Sequence, residues 1–400
     1  MKIAIASWIN IDSLKEFFDQ EIPEEIRALG APATAITNIV KGMHALGHEI
    51  IIFTLDYRST GRFVFKGERI TLVLDQERNR ARYKLWDGWK YEINQIKSLC
   101  LEYEADIYHA HWSYEYALGV IKSGQPHLIT FRDDAWEILK YFKDIYRLGK
   151  FALDRRVKAE GKHFSVNSIY LQRQLARFQN GIRIIPNPVN PDMIHDQEKA
   201  FPENGTIRIL SILTGFQKRK NPKRALQAFD LLRKQLKRPM EYHIYGMGFY
   251  KGSEGHQWAL ANGLTENVVF HGHVAYDELV RDMGKYDLLF HPALEESFGN
   301  TLLEGMATGI PVVAGKAAGA VPWVLGNGSA GYLVDVERVE EMAKALQNVL
   351  TDGALYARLV KGGKARISES FDRKKIAQLY IDYYHEIIED ARGKQVRVVG

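Results

Sequence analysis

Residues 291–313 read HPALEESFGNTLLEGMATGIPVV, and this stretch decides the fold. An apolar run ends at His291, a loop carries Glu295 and Glu296, and a helix starts near Asn300. A Gly309-Ile310-Pro311 turn then opens a second apolar run. Strand, helix, strand in this order is the repeating unit of a parallel sheet. Gly299 permits close backbone approach, and Asn300 is a good N-cap. The free N–H groups of the first helical turn suit an anion such as phosphate. Glu304 lies about one turn inside the helix, and Glu296 sits in the loop before it. A carboxylate accepts two hydrogen bonds from vicinal hydroxyls, the groups a ribose or hexose offers. The spacing therefore suits sugar, phosphate and ribose in a row. It also suits an ordinary capped helix with solvated acids.

Working outward, the same rhythm fills the chain. Strands are expected at 2–7, 49–55, 106–111, 128–132, 164–167 and 183–186, with helices near 33–46, 89–104, 114–123, 135–160 and 168–179. A hairpin over 63–70 interrupts them. Asn187-Pro188-Val189-Asn190-Pro191 and the polar run ending at Gly205 read as a linker. Strands then follow at 207–213, 241–245, 268–271, 288–291, 311–313 and 331–334. The helices between them fall at 222–236, 254–262, 276–285, 300–308 and 339–351, and an amphipathic tail covers 373–391. The reading is two α/β domains, 1–190 joined by the 373–391 helix, and 205–372. Both are doubly wound, Rossmann-like, and expected to face a central cleft.

Composition narrows the classes. The 400 residues are 46% hydrophobic and 26% charged, which excludes a disordered chain. The net charge of +5 is mild, and no nucleic-acid motif accompanies it, so no nucleic-acid partner is expected. The single cysteine, Cys100, precludes an internal disulfide, fits a reducing compartment, and reads as core packing. No run approaches the ~18 apolar residues of a membrane span, and the N-terminus reads as a buried strand, not a signal peptide. A cytoplasmic location is expected.

Glu296-Ser297-Phe298-Gly299, Leu302-Leu303-Glu304-Gly305-Met306-Ala307 and Gly309-Ile310-Pro311-Val312-Val313 together resemble the E-x7-E motif of retaining GT-B glycosyltransferases of family 4 (glycosyl transferases group 1). Other segments match in order: Gly30-Ala31-Pro32 before a helix ending Gly47-His48-Glu49, Asp106-Ile107-Tyr108-His109-Ala110-His111, and Ile185-Pro186-Asn187. In the second half Ile244-Tyr245-Gly246-Met247-Gly248 and Phe270-His271-Gly272-His273-Val274 also match. The resemblance implies transfer of a hexose from a nucleotide-diphosphate sugar, UDP- or GDP-linked, to a hydroxyl of a glycan or lipid-linked acceptor. It implies retention of configuration and no cofactor or metal. It places Glu304 on the nucleotide ribose, and Glu296 with the amides of Phe298, Gly299, Asn300 and Thr301 on sugar and diphosphate. Gly30 and Gly246 approach the same donor substrate. Lys220 fits the family's lysine before Asn221-Pro222, with Lys218 or Arg219 as the second charge, since Phe216 stands where an Arg is usual. Glu296, Lys220 and Arg132 are the expected catalytic residues, acting through charge and position. His111 and Asp134 are expected at the acceptor.

Departures from the pattern matter. Arg132-Asp133-Asp134 follows a strand where many members carry His, so Arg132 contacts sugar or an anionic acceptor, or simply pairs with Asp133 or Asp134. Trp323 replaces a common Glu. A GT-B relative with epimerase or phosphorylase chemistry, a non-catalytic sugar-binding protein and an NAD-dependent oxidoreductase are the competing classes. The last lacks a glycine fingerprint after the first strand. The His109/His111 and His271/His273 pairs have no further ligand at metal-site spacing, and no Asp-x-Asp occurs. Residues 140–183 carry 11 Lys or Arg against three acids, and Tyr141, Ile145, Leu148 and Ala152 share a helical face. That face either packs on the sheet or touches an anionic membrane.

Overall fold

A computed structural model describes residues 1–30, 33–178, 181–195 and 197–399, with the backbone alone for 277 and 393–399. The chain divides into two compact units, Met1–Pro188 together with the chain from Arg373 onward, and Val189–Asp372.

The first unit holds strands β1 (Lys2–Ala6), β2 (Glu49–Asp56), β3 (Phe63–Gly67), β4 (Ile70–Gln76), β5 (Ile107–His111), β6 (His127–Phe131), β7 (Phe164–Val166) and β8 (Arg183–Ile184). They form one sheet in the order β3-β4-β2-β1-β5-β6-β7-β8, parallel except for the β3–β4 hairpin. β1, β5 and β6 are buried almost throughout, because helices cover both faces of a parallel sheet. One face packs on Ile36, Ile39 and Met43 of the Thr34–Ala45 helix. The same core takes in Ile376, Tyr380, Tyr384 and Ile387 of the Arg373–Val399 helix, which runs past the expected end at 391. The other face packs on Ile93, Ile96, Leu118 and Val157, and Cys100 lies there, its thiol pushed up to about 12 by burial.

The second unit is a six-stranded parallel sheet, β11 (Val268–Gly272), β10 (Met240–Tyr245), β9 (Ile207–Ile212), β12 (Leu288–His291), β13 (Val312–Gly315) and β14 (Tyr332–Val334), in that order. Its core joins Ile209, Phe229, Tyr242, Phe290 and Leu346.

Four expectations need correction. The single 135–160 helix is two, Ala135–Tyr141 and Ile145–Glu160, because extended Asp144 accepts the Arg147 N–H at 2.9 Å and starts a new helix. Helices Ala81–Asp87 and Gly353–Ser370 were not anticipated. Ile145 and Leu148 do not pack on the sheet: they are 71% and 54% exposed, and the buried positions are Lys150, Leu153, Asp154 and Val157. Lys150 goes inside because Glu115 lies 2.5 Å away and the Trp8, Trp89 and Tyr114 rings surround its ammonium. Finally, Gly299 with φ 90° caps the Asn300–Ala307 helix, and Asn300 is its first residue. Among the described residues no helix is long and apolar enough to cross a membrane.

Candidate functional site

β12 ends at His291, and the loop beyond it delivers two acids to two cations. Lys220, the last residue of the Lys218–Lys220 turn, forms a buried ion pair with Glu296. Arg219 Nη1 lies 3.3 Å from Glu295 Oε2 and 3.7 Å from Glu296 Oε2. Backbone bonds fix the loop: Leu294 N–H donates to Arg219 O at 2.8 Å, and Ala320 N–H to Glu296 O at 2.9 Å. The Gly319 Cα packs so closely on Glu296 O that a side chain there would collide with it. Burial alone would raise the Glu296 carboxyl. Lys220, His291 and Arg219 outweigh it and hold the group well below the usual carboxylate range.

His291 was not anticipated. Its Nε2 lies 3.2 Å from Glu296 Oε1, and its Nδ1 pairs with Thr301 Oγ1 at 3.2 Å. The last residue of a parallel strand faces the carboxyl edge of the sheet, which was a readable signal. Thr301 thus joins the cluster through His291. Phe298 is buried against Trp323 and Phe371, so its backbone is what it offers the site. Glu304 lies buried on the same helix. Burial pushes its carboxyl up to about 7, against the weaker opposing effect of a hydrogen bond from the Tyr276 hydroxyl. Tyr276, 28 residues earlier, was also missed, and no local pattern marked it. Gly246 turns the chain after β10, with φ 128° and its N–H bonded to Gly272 O at 2.7 Å. Lys218 points elsewhere, into a pocket lined by Phe216, Lys223, Arg224 and Trp258, which leaves Arg219 as the second cation of the cluster.

The predicted residues of the first unit gather at the ends of β5 and β6. Arg132 makes no ion pair with Asp133 or Asp134. Its Nη1 bonds to Asn187 Oδ1, and its Nη2 donates to His111 Nδ1 at 3.0 Å and to Tyr380 Oη at 3.4 Å. That bond assigns the neutral His111 tautomer with the proton on Nε2. Burial, then His109 and Arg132, hold the imidazole far below its ordinary value. His109 is taken up by Tyr384 Oη and Thr130 Oγ1, each at 2.6 Å, and His271 Nε2 pairs with His243 Nδ1 at 2.8 Å. Asp134 is committed to capping, accepting from Trp136 N–H at 2.8 Å. Gly30, with φ 81°, donates its N–H to Asp56 Oδ2 at 2.7 Å, while Ala31 and Pro32 lie outside the described residues.

Comparison with known proteins follows the same division. A model of "Glycosyl transferases group 1" matches residues 194–366, and one of "Glycosyltransferase Family 4" matches residues 32–193. The N-acetyl-alpha-D-glucosaminyl L-malate synthase of Bacillus anthracis is 28% identical over 133 residues, 33% of this chain and 34% of that protein. The 2-deoxystreptamine glucosyltransferase of Streptomyces kanamyceticus is 26% identical over 231 residues, 56% of this chain and 59% of that one. The matched stretches thus span between about a third and three fifths of these relatives. Among solved structures, sucrose-phosphate synthase from Thermosynechococcus elongatus superposes with TM-score 0.73 at 16% identity, covering 98% of this chain and all of that one. Anabaena HepE in complex with UDP gives 0.66 at 15%, covering 96% and 100%.

Proposed function

The chain belongs to the group 1 glycosyltransferases and has their GT-B fold, and from that premise we propose that it moves a hexose from a nucleotide-diphosphate sugar to a hydroxyl of a glycan or lipid-linked acceptor. The observation that carries the reading is the buried Lys220/Arg219–Glu296 cluster beside the Gly299-capped helix, with Glu304 on that same helix. Two cations and the first-turn amides compensate the charge that develops on a departing diphosphate. Ionised Glu296 accepts hydroxyls of the sugar, and Glu304 accepts the two ribose hydroxyls. UDP in the HepE neighbour supports a nucleotide-linked substrate. In this reading transfer retains configuration through front-face attack, the leaving phosphate taking the acceptor's proton. The protein then supplies charge and position, without a cofactor or metal. Arg132 and His111 serve the acceptor side.

A thermal-shift screen against UDP-, GDP-, ADP- and dTDP-sugars tests it. Ligand at 100 times its Kd stabilises by about 2.7 kcal/mol. Glu304→Ala should abolish most of that shift, and a variant with unchanged nucleotide affinity would remove Glu304 from the site. Steady reduction of NAD(P) by any substrate would overturn the transferase reading. In this reading the reaction takes place on the cytoplasmic side, and a peripheral membrane contact is supported by Ile145 and Leu148, exposed beside Lys143 and Arg147.

A further inference from the structure

Two indoles meet beyond the carboxyl ends of β1 and β5, neighbouring parallel strands of the first unit. Trp8 and Trp112 stand with ring centroids 4.9 Å apart at 56°, and Tyr116 presents an edge to Trp8 at 6.0 Å. Both tryptophans are partly exposed. Trp112 has φ 64°, a left-handed backbone that a bulky residue rarely adopts. Its surroundings enforce it. Trp112 N–H donates to Thr130 O at 2.9 Å, Ser113 Oγ to Asp154 at 2.7 Å and Tyr114 Oη to Asp133 at 3.0 Å. Glu115 pairs with Lys150, and Tyr116 Oη accepts from Leu55 N–H at 2.8 Å. Every polar side chain from Ser113 to Tyr116 is thus anchored. The indole N–H groups of Trp8 and Trp112, by contrast, have no hydrogen-bond partner among the described residues, and neither is buried. The loop holds a costly conformation at Trp112, whose indole N–H the fold leaves unused.

Polar groups rim the rings. Lys150 Nζ lies 5.9 Å from the Trp8 ring, held there by its ion pair with buried Glu115. Asp133 keeps one oxygen beyond its bond with Tyr114, and burial raises its carboxyl to about 7, so that it both donates and accepts near neutral pH.

We propose that Trp8 and Trp112 form a shelf that stacks the C–H face of a carbohydrate ring, the acceptor sugar or cyclitol, while Asp133 and the indole N–H groups take its hydroxyls. The π face is negative and the polarised C–H face of a pyranose or cyclitol is its complement. An open-chain hydroxy acid has no flat face to stack. The inference rests on the glycosyl-transfer reading and narrows its acceptor to a ring-bearing polyol.

The test is a glycan array probed with the labelled full chain, with UDP and GDP affinity measured separately by calorimetry. Trp112→Asn keeps a residue tolerant of positive φ and removes the ring. Its array signal should fall roughly two- to tenfold, the scale of a lost aromatic contact. Trp112→Phe should retain most of the signal, and Trp86→Leu, at a position 92% exposed, all of it. Unchanged binding by Trp112→Asn overturns the proposal. So does a parent chain that binds UDP or GDP but neither an array glycan nor, by calorimetry, free inositol, which leaves the transferase reading intact. Trp112-dependent glycan binding without nucleotide affinity supports the shelf and sinks the transferase reading instead.

Discussion

Glu296 and Glu304 stand eight positions apart, both are buried, and their surroundings push them in opposite directions. The consequence is measurable in stability. Glu304 titrates at about 7 in the folded chain against 4.5 ordinarily. Between those values the folded chain keeps a proton that the unfolded chain has released, so stability falls as pH rises through the window, by on the order of 3 kcal/mol. Glu304→Gln should remove that slope and leave the variant the more stable of the two above pH 7. Glu296 has the opposite sign. Its folded value is depressed, so its contribution is complete above about pH 4.5 and lost as pH falls below it. Glu296→Gln should cost stability at pH 7 and flatten the acid limb. Urea unfolding at intervals from pH 3 to 8 reads both, and slopes parallel to the parent's would contradict both assignments. At this scale the sequence showed which residues cluster, because Glu296, Gly299 and Glu304 sit in one short stretch with Lys220 at a recognisable position. Tyr276 and the partners of Arg132 were illegible, since only the tertiary fold brings Asn187 and Tyr380 to that guanidinium.

The Asn300–Ala307 helix depends on Gly299, whose φ of 90° and ψ of 70° suit no L side chain, with Leu302 Cδ1 only 3.0 Å from where a Cβ would stand. Gly299→Ala should destabilise by about 1–3 kcal/mol and, by turning the first-turn amides, weaken nucleotide affinity more than a remote variant of equal stability. Calorimetric binding beside a thermal melt separates the two effects. The Ile145–Glu160 helix shows where periodicity misleads. Apolar spacing left Ile145 and Leu148 either packed on the sheet or facing a membrane, and Glu115 and the aromatic rings reward burying Lys150 instead, which leaves those side chains outside. An exposed Ile145/Leu148 edge beside Lys143 and Arg147 should give sedimentation with vesicles containing anionic lipid. The double variant Ile145→Ser/Leu148→Ser should lose it, and retained sedimentation would remove this edge from any membrane contact. Strands were the most legible elements, since their apolar runs are buried on both faces. The Gly353–Ser370 helix was missed because its buried positions are interrupted by glycines and charges.

The whole molecule is two units of unequal continuity. Val189–Asp372 is one unbroken stretch with its own core, whereas the first unit needs Ile376, Tyr380, Ile381 and Tyr384 from beyond residue 372. A fragment covering 189–372 should therefore melt cooperatively and bind UDP or GDP, while 1–188 should show no cooperative melt until a 373–400 peptide is added. Cooperative unfolding of 1–188 alone would refute this. Both αβ units were readable from the alternation of strands and helices. That the N-terminal half closes only around the tail is a matter of long-range packing, on which local patterns are silent. On the ribosome the consequence is one of timing. The hydrophobic face that awaits the tail must stay uncovered while some 185 further residues are made, on the order of ten to forty seconds at 5–20 residues per second. The second unit then completes before the first, so newly made chains depend on chaperone cover for their earliest residues and not for their latest.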